Sequence, residues 1–138
     1  MKKKSIVIVL VLAMLFACCS VAQARASDYI SSCSASIRAG DSRGEVDIIV
    51  SVQARVSTTK IGVTRVKIYQ SNGAMVASIA GSTSNGLIST SGGRRFDGTY
   101  TYTGVPGTSY YAVVTCYAGD ASGSDTRQGT TTTVMAPY

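Results

Sequence analysis

From Val46 to Ser57 the chain alternates apolar and polar side chains with a period of two. Val46, Ile48, Val50, Val52, Ala54 and Val56 point one way, and Asp47, Ser51, Gln53, Arg55 and Ser57 the other. Only Ile49 interrupts the pattern. A period of two sends successive side chains to opposite faces of a strand, whereas a helix needs 3.6. The segment predicts a strand with one buried and one wet face. The same rhythm recurs. Tyr29, Cys33, Ala35 and Ile37 oppose Ser32, Ser34 and Ser36. Thr64, Val66 and Ile68 alternate with Arg65, Lys67 and Tyr69. Tyr110, Ala112, Val114, Cys116 and Ala118 alternate with Tyr111, Val113, Thr115 and Tyr117.

Turn signals divide these runs: Gly40-Asp41, Asn72-Gly73, Asn85-Gly86, Gly92-Gly93, Asp97-Gly98, Pro106-Gly107 and Gly123. Asn72-Gly73 predicts a type I′ hairpin, whose two central residues both need positive φ, with Met75 to Ile79 as the return strand. Residues 80–95, rich in Gly, Ser and Thr, predict a loop with at most a short strand near Leu87. Thr99 to Thr103 and Thr126 to Met135 are further strands. About seven strands in about 110 residues are the size and rhythm of an antiparallel β-sandwich.

The N-terminus speaks of destination. Lys2, Lys3 and Lys4 precede an uncharged apolar run from Ser5 to Ala17, and Ala22-Gln23-Ala24 supplies small residues at −3 and −1 of a cleavage site. This predicts a signal peptide over 1–24 and one secreted domain over 25–138. Two alternatives stay open. Left uncleaved, Ser5 to Ala24 is long enough to span a bilayer. Leu15-Phe16-Ala17-Cys18 looks like a lipobox, which would make Cys18 a lipid anchor for an envelope protein.

Composition then excludes several function classes. Removing Lys2, Lys3 and Lys4 leaves ten basic against seven acidic residues, a net +3 instead of +6, too small to argue for nucleic acid. Cys18 and Cys19 leave with the signal, while Cys33 and Cys116 remain, 83 positions apart. An exported pair permits a disulfide; two buried thiols are the alternative. With no His, Ser–His and Cys–His nucleophile systems are excluded. A Ser–Lys dyad would have only Lys60 and Lys67, both expected in solvent. Asp97, Asp120 and Asp125 could be drawn as a carboxylate pair, but each sits by a turn glycine, where Asp favours local backbone bonds. The Asp120 to Asp125 loop, and Asp41 with Glu45 and Asp47, leave room for a weak calcium site but match no EF-hand spacing. No cofactor is expected.

The cations offer a binding surface. Arg65 and Lys67 share a strand face with Tyr69, and Arg94-Arg95-Phe96 sits on the predicted loop. Cations beside aromatics can hold an acidic glycan or a cell-wall polyanion. The plainer reading is a solvated face whose charges guard against edge-to-edge aggregation.

The stretch Val105-Pro106-Gly107-Thr108-Ser109-Tyr110-Tyr111-Ala112-Val113-Val114 resembles the E–F turn and F strand of fibronectin type III and related immunoglobulin-like domains. The resemblance implies a tyrosine corner, with Tyr110 bonded back to the backbone near Gly104 to Gly107. Ala118 to Asp125 then resembles the F–G loop, and the Thr-rich tail strand G. The whole chain is also similar to small secreted proteins of unknown function from Gram-positive gut bacteria. Arg25-Ala26-Ser27-Asp28-Tyr29-Ile30, Lys60-Ile61-Gly62, Val114-Thr115 and Gly123-Ser124-Asp125 carry that likeness. The expectation is an all-β, immunoglobulin-like (fibronectin type III-like) sandwich serving as a secreted, non-catalytic interaction module. Its partner would be a cell-wall or host glycan or a protein, with no stable membrane span in the mature chain. A secreted hydrolase or toxin-like effector is the alternative from another class.

Overall fold

The computed structural model describes residues 28–138. The predicted signal peptide, the Cys18 lipobox and the start of the expected mature chain at Arg25 lie outside the described residues. Nine strands follow in order: β1 Ile30–Ala39, β2 Glu45–Thr58, β3 Lys60–Gln70, β4 Met75–Ala80, β5 Ile88–Ser89, β6 Gly93–Thr103, β7 Ser109–Asp120, β8 Gly123–Thr130 and β9 Val134–Met135. Seven are six residues or longer; β5 and β9 are two-residue bridges. No helix among the described residues is long and apolar enough to cross a membrane.

The strands form two antiparallel sheets. One has the order β1-β2-β6; the other runs β4-β3-β7-β8, with β5 added to β3 and β9 to β7. The inner faces meet as a sandwich, and the period-two pattern decides which residues go there. Ile48, Val50 and Val52 from β2 are buried against Val66 and Ile68 from β3 and Ala112 and Val114 from β7. Each such Val or Ile side chain removed from water stabilises the fold by roughly 1.5–3 kcal/mol before entropy is counted. Leu87 is also fully buried. It enters the core from the segment between β4 and β5, where Val63 N–H donates to the Leu87 carbonyl at 2.7 Å.

The register slips in four places, the first between Ile30 and Ser32 in the β1–β2 pair. Between Gln53↔Arg95 and Thr58↔Gly93 the β2–β6 register slips. Val56, expected inward, is 42% exposed there, and Thr58 is buried in its place with its hydroxyl donating to the Gly93 carbonyl at 2.9 Å. In β3 the register slips between Val63 and Arg65. Ile61 and Val63 are buried before the slip, Val66 and Ile68 after it, and Thr64 is the extra residue. In the β3–β4 hairpin the slip falls between Ile68 and Tyr69.

That hairpin also corrects the turn expectation. Gly73 has φ 87°, but among the described residues none other than glycine has positive φ, so the turn is not type I′. Gly73 N–H donates to Gln70 O and Gln70 N–H to Ala74 O, both at 2.9 Å. This is a three-residue loop with glycine in the left-handed position. Residues 80–95 carry more strand than expected. The bridge near Leu87 is β5, and β6 begins at Gly93, so Arg94 and Arg95 lie on a strand. The expected Thr126 to Met135 strand is two strands, because Thr131 breaks it. Its N–H donates to Ala112 O at 2.9 Å, and its hydroxyl oxygen accepts from Ala112 N–H at 2.9 Å. The expected loop from Ala118 to Asp125 shrinks to a tight turn at Ala121-Ser122.

Candidate functional site

The outer face of the larger sheet is assembled by register. Arg65 pairs with Thr115, Lys67 with Val113 and Tyr69 with Tyr111 across β3 and β7. On β8, Gln128 stands beside Thr115, Thr130 beside Val113 and Thr126 beside Tyr117. On β4, Ala80 stands beside Arg65, Ser78 beside Lys67 and Met75 beside Tyr69. The Tyr69 and Tyr111 rings stack 5.2 Å apart and 11° from parallel. Lys60 Nζ lies 5.4 Å from the centre of the Tyr117 ring, within cation–π range. Arg65 Nη1 donates to Ser78 Oγ at 3.1 Å, so the guanidinium lies across β4.

Three cations and three tyrosines thus share one face, and none of the described carboxylates is paired in these rows. Five acids, Glu45, Asp47, Asp97, Asp120 and Asp125, are engaged elsewhere. Tyr29 Oη donates to Asp120 at 2.9 Å, and Tyr29 N–H donates to Asp125 at 2.7 Å. These bonds tie the start of β1 to the β7–β8 turn. Ser122 N–H and the Tyr29 hydroxyl hold the Asp120 carboxyl below its usual range, while the same carboxylate pushes the Tyr29 hydroxyl up. Asp97 accepts from Arg95 at 2.6 Å. Asp47 is 8% exposed on a face expected to be wet. The Thr101 hydroxyl covers it at 2.7 Å and Arg38 at 3.0 Å, and both depress its carboxyl.

The sequence-derived surface is therefore divided. Arg65, Lys67 and Tyr69 lie together on the larger sheet. Arg94 and Arg95 belong to β6 in the other sheet, and Arg95 is paired with Asp97. Lys60, Tyr111 and Tyr117 were missed as members. Their outward positions follow from alternation along β3 and β7, but the register that sets them beside Arg65 and Lys67 does not. Among the described residues, no three acids or cysteines gather to hold a metal ion. Asp41, Glu45 and Asp47 do not converge, for Glu45 accepts from Ser42 N–H and Asp47 faces Arg38.

Two further positions shape the frame behind this face. Cys33 and Cys116 form a disulfide with Cα atoms 6.0 Å apart, joining β1 in one sheet to β7 in the other. Opposite Cys33 stands Gly129, where a Cβ would lie 3.3 Å from the Cys33 sulfur. Tyr110 is 1% exposed, and its hydroxyl oxygen accepts from Val105 N–H at 2.8 Å. Its ring meets that of Tyr102 edge-on, with centres 5.6 Å apart. The turn before Tyr110 is closed by the chain after β8. Gly107 N–H donates to Ala136 O, Ala136 N–H to Thr108 O and Gly44 N–H to Pro137 O, each at 2.9 Å.

Comparison with protein-family models, with curated proteins and with solved structures finds no match to this chain.

Proposed function

We propose that this chain is a secreted, non-catalytic interaction module of immunoglobulin-like, fibronectin type III-like build. Its outer six-stranded face holds an acidic partner at the cell wall or host surface. The observation that carries the reading is the gathering of Lys60, Arg65 and Lys67 with Tyr69, Tyr111 and Tyr117 on a face whose paired rows contain no carboxylate. A one-signed face attracts opposite charge, and fixed aromatic rings add contact area at low entropic cost. The immunoglobulin-like assignment draws on the split of β1-β2-β6 against β4-β3-β7-β8 and on the Tyr110 bond to the turn before β7. Export draws on the residues up to Ala24 and on the disulfide, which belongs to oxidising compartments.

The test applies exported protein to immobilised carboxylated and sulfated polymers. N-terminal sequencing of that protein should begin at Arg25. Wild type should be retained and released by salt, and a Lys60→Ser, Arg65→Ser, Lys67→Ser variant should flow through. Equal retention of the two proteins, or none of wild type, refutes the reading.

A further inference from the structure

The sandwich leaves four long strands at its edges, and they differ. β1 carries Arg38, β6 carries Arg94, Arg95 and Asp97, and β8 carries Asp125 and Arg127. Charges of this kind protect an edge from pairing with another chain. β4, Met75–Ala80, has no charged residue and no proline. It is also exposed at Met75 (56%) and Val76 (37%). Its inner side is satisfied by β3. Gly81 N–H donates to Thr64 O at 2.9 Å, so by alternation the N–H and C=O of Ser78 face away from the sheet. The Ala80 carbonyl, next in that outward row, accepts from Asn85 Nδ2 at 2.8 Å, which closes the far end of the edge.

Charge supplies the identity of what fits there. Arg65 already crosses β4 to reach Ser78, and Lys67 stands beside Ser78 in register. The β4 residues between these cations and the edge, Ser78 and Ala80, are small. A strand added to β4 would lie about 10 Å from β3, two strand spacings away. A second copy of this chain fits poorly, because antiparallel pairing through β4 would put both sets of Arg65 and Lys67 on one continuous face.

We propose that the free edge of β4 takes an extended acidic segment of a partner protein as an added strand, with its outer-face carboxylates meeting Arg65 and Lys67. Backbone pairing gives the affinity and alternate side chains the specificity. The proposal rests on the acid-binding reading of the face and narrows it to a polypeptide.

The probe is a seven-residue peptide alternating valine and glutamate with blocked ends, compared with the same peptide methylated on every amide nitrogen, so that neither edge can donate. The parent peptide should bind and slow hydrogen exchange at the Ser78 amide. Methylation removes backbone bonds and keeps the charge, so it should weaken binding roughly tenfold or more. Ser78→Pro removes an outward N–H and should abolish binding. Ser78→Glu, which keeps the backbone intact and sets a carboxylate among the same cations, should do likewise. Equal binding of the methylated peptide overturns strand addition and leaves the acid-binding face standing. Sedimentation showing wild-type dimers that Ser78→Glu dissolves also overturns it, in favour of a second copy. Failure of both peptides and of the acidic polymers overturns the face as well.

Discussion

Replacing Cys33 and Cys116 together by alanine tests the largest single covalent constraint in the fold. The bridge spans 83 positions of sequence. Closing a loop of that length in the unfolded chain costs entropy worth about 4.6 kcal/mol at 25 °C, and the native protein is spared it. The lost sulfur adds a packing penalty, because Cys116 is fully buried. Against a usual domain stability of about 5–15 kcal/mol, the loss is a third or more of the whole. For about 110 residues the unfolding entropy is about 230 cal/mol/K, so the melting temperature should fall by about 20 °C. Urea unfolding followed by circular dichroism reads the free energy, and calorimetry reads the temperature. The denaturant slope should rise, since an unbridged chain exposes more surface. Reduced wild type should fall within about 1 kcal/mol of the double variant, because both release the same loop. A loss below about 1.5 kcal/mol in both proteins would refute the loop-closure reasoning. A large loss in the variant with none on reduction would assign the effect to packing instead.

Tyr110→Phe keeps the buried ring and leaves Val105 N–H without its acceptor, so it should cost about 1–2 kcal/mol in the same urea assay. Gly104→Ala should cost about 2–3 kcal/mol, because the new Cβ would sit 2.5 Å from Tyr110 Oη with the Tyr102 ring at its side. The carboxyl of Asp47 is depressed by Thr101 and Arg38, so its contribution is complete above the ordinary aspartate range and is lost as pH falls through the lowered value. Asp47→Asn should therefore cost about 1–2 kcal/mol at neutral pH and flatten the acid limb of a stability titration.

The sheets were legible because burial and alternation are one phenomenon. Wherever a strand runs straight, as in β7, each residue's side follows from the last. The departures come where an extra residue enters. Val56 continues the sequence pattern without a flaw, yet the slip before Thr58 turns it outward. Nothing local marks that slip, which depends on where β6 begins. The turn after Gln70 went wrong for a related reason: Asn72-Gly73 suits a two-residue turn, but the bond from Gln70 N–H to Ala74 O leaves three residues, 71–73, to close it. The cationic face was half visible. Arg65, Lys67 and Tyr69 lie on one strand and announce themselves, whereas Tyr111 and Tyr117 join them only through pairing more than forty residues away. Arg94 and Arg95 were grouped with them by charge alone, and strand order places them in the other sheet. The Cys33–Cys116 contact was open for the same reason, since it depends on how β1 crosses the far sheet.

The clasp of Ala136 and Pro137 on the turns at Gly107 and Gly44 governs the order of events as the chain is delivered. A polypeptide emerges from its ribosome or translocase N-terminus first. β1 then waits for Cys116, and the turn before β7 waits for Ala136, so neither closure can precede nearly the whole length. Until then β2 and β3 stand as long apolar-faced strands with open edges, and such intermediates aggregate. Synthesis and closure of the fold are thereby separated in time by the architecture itself: the chain stays open until almost all of it has emerged, and is locked only afterwards.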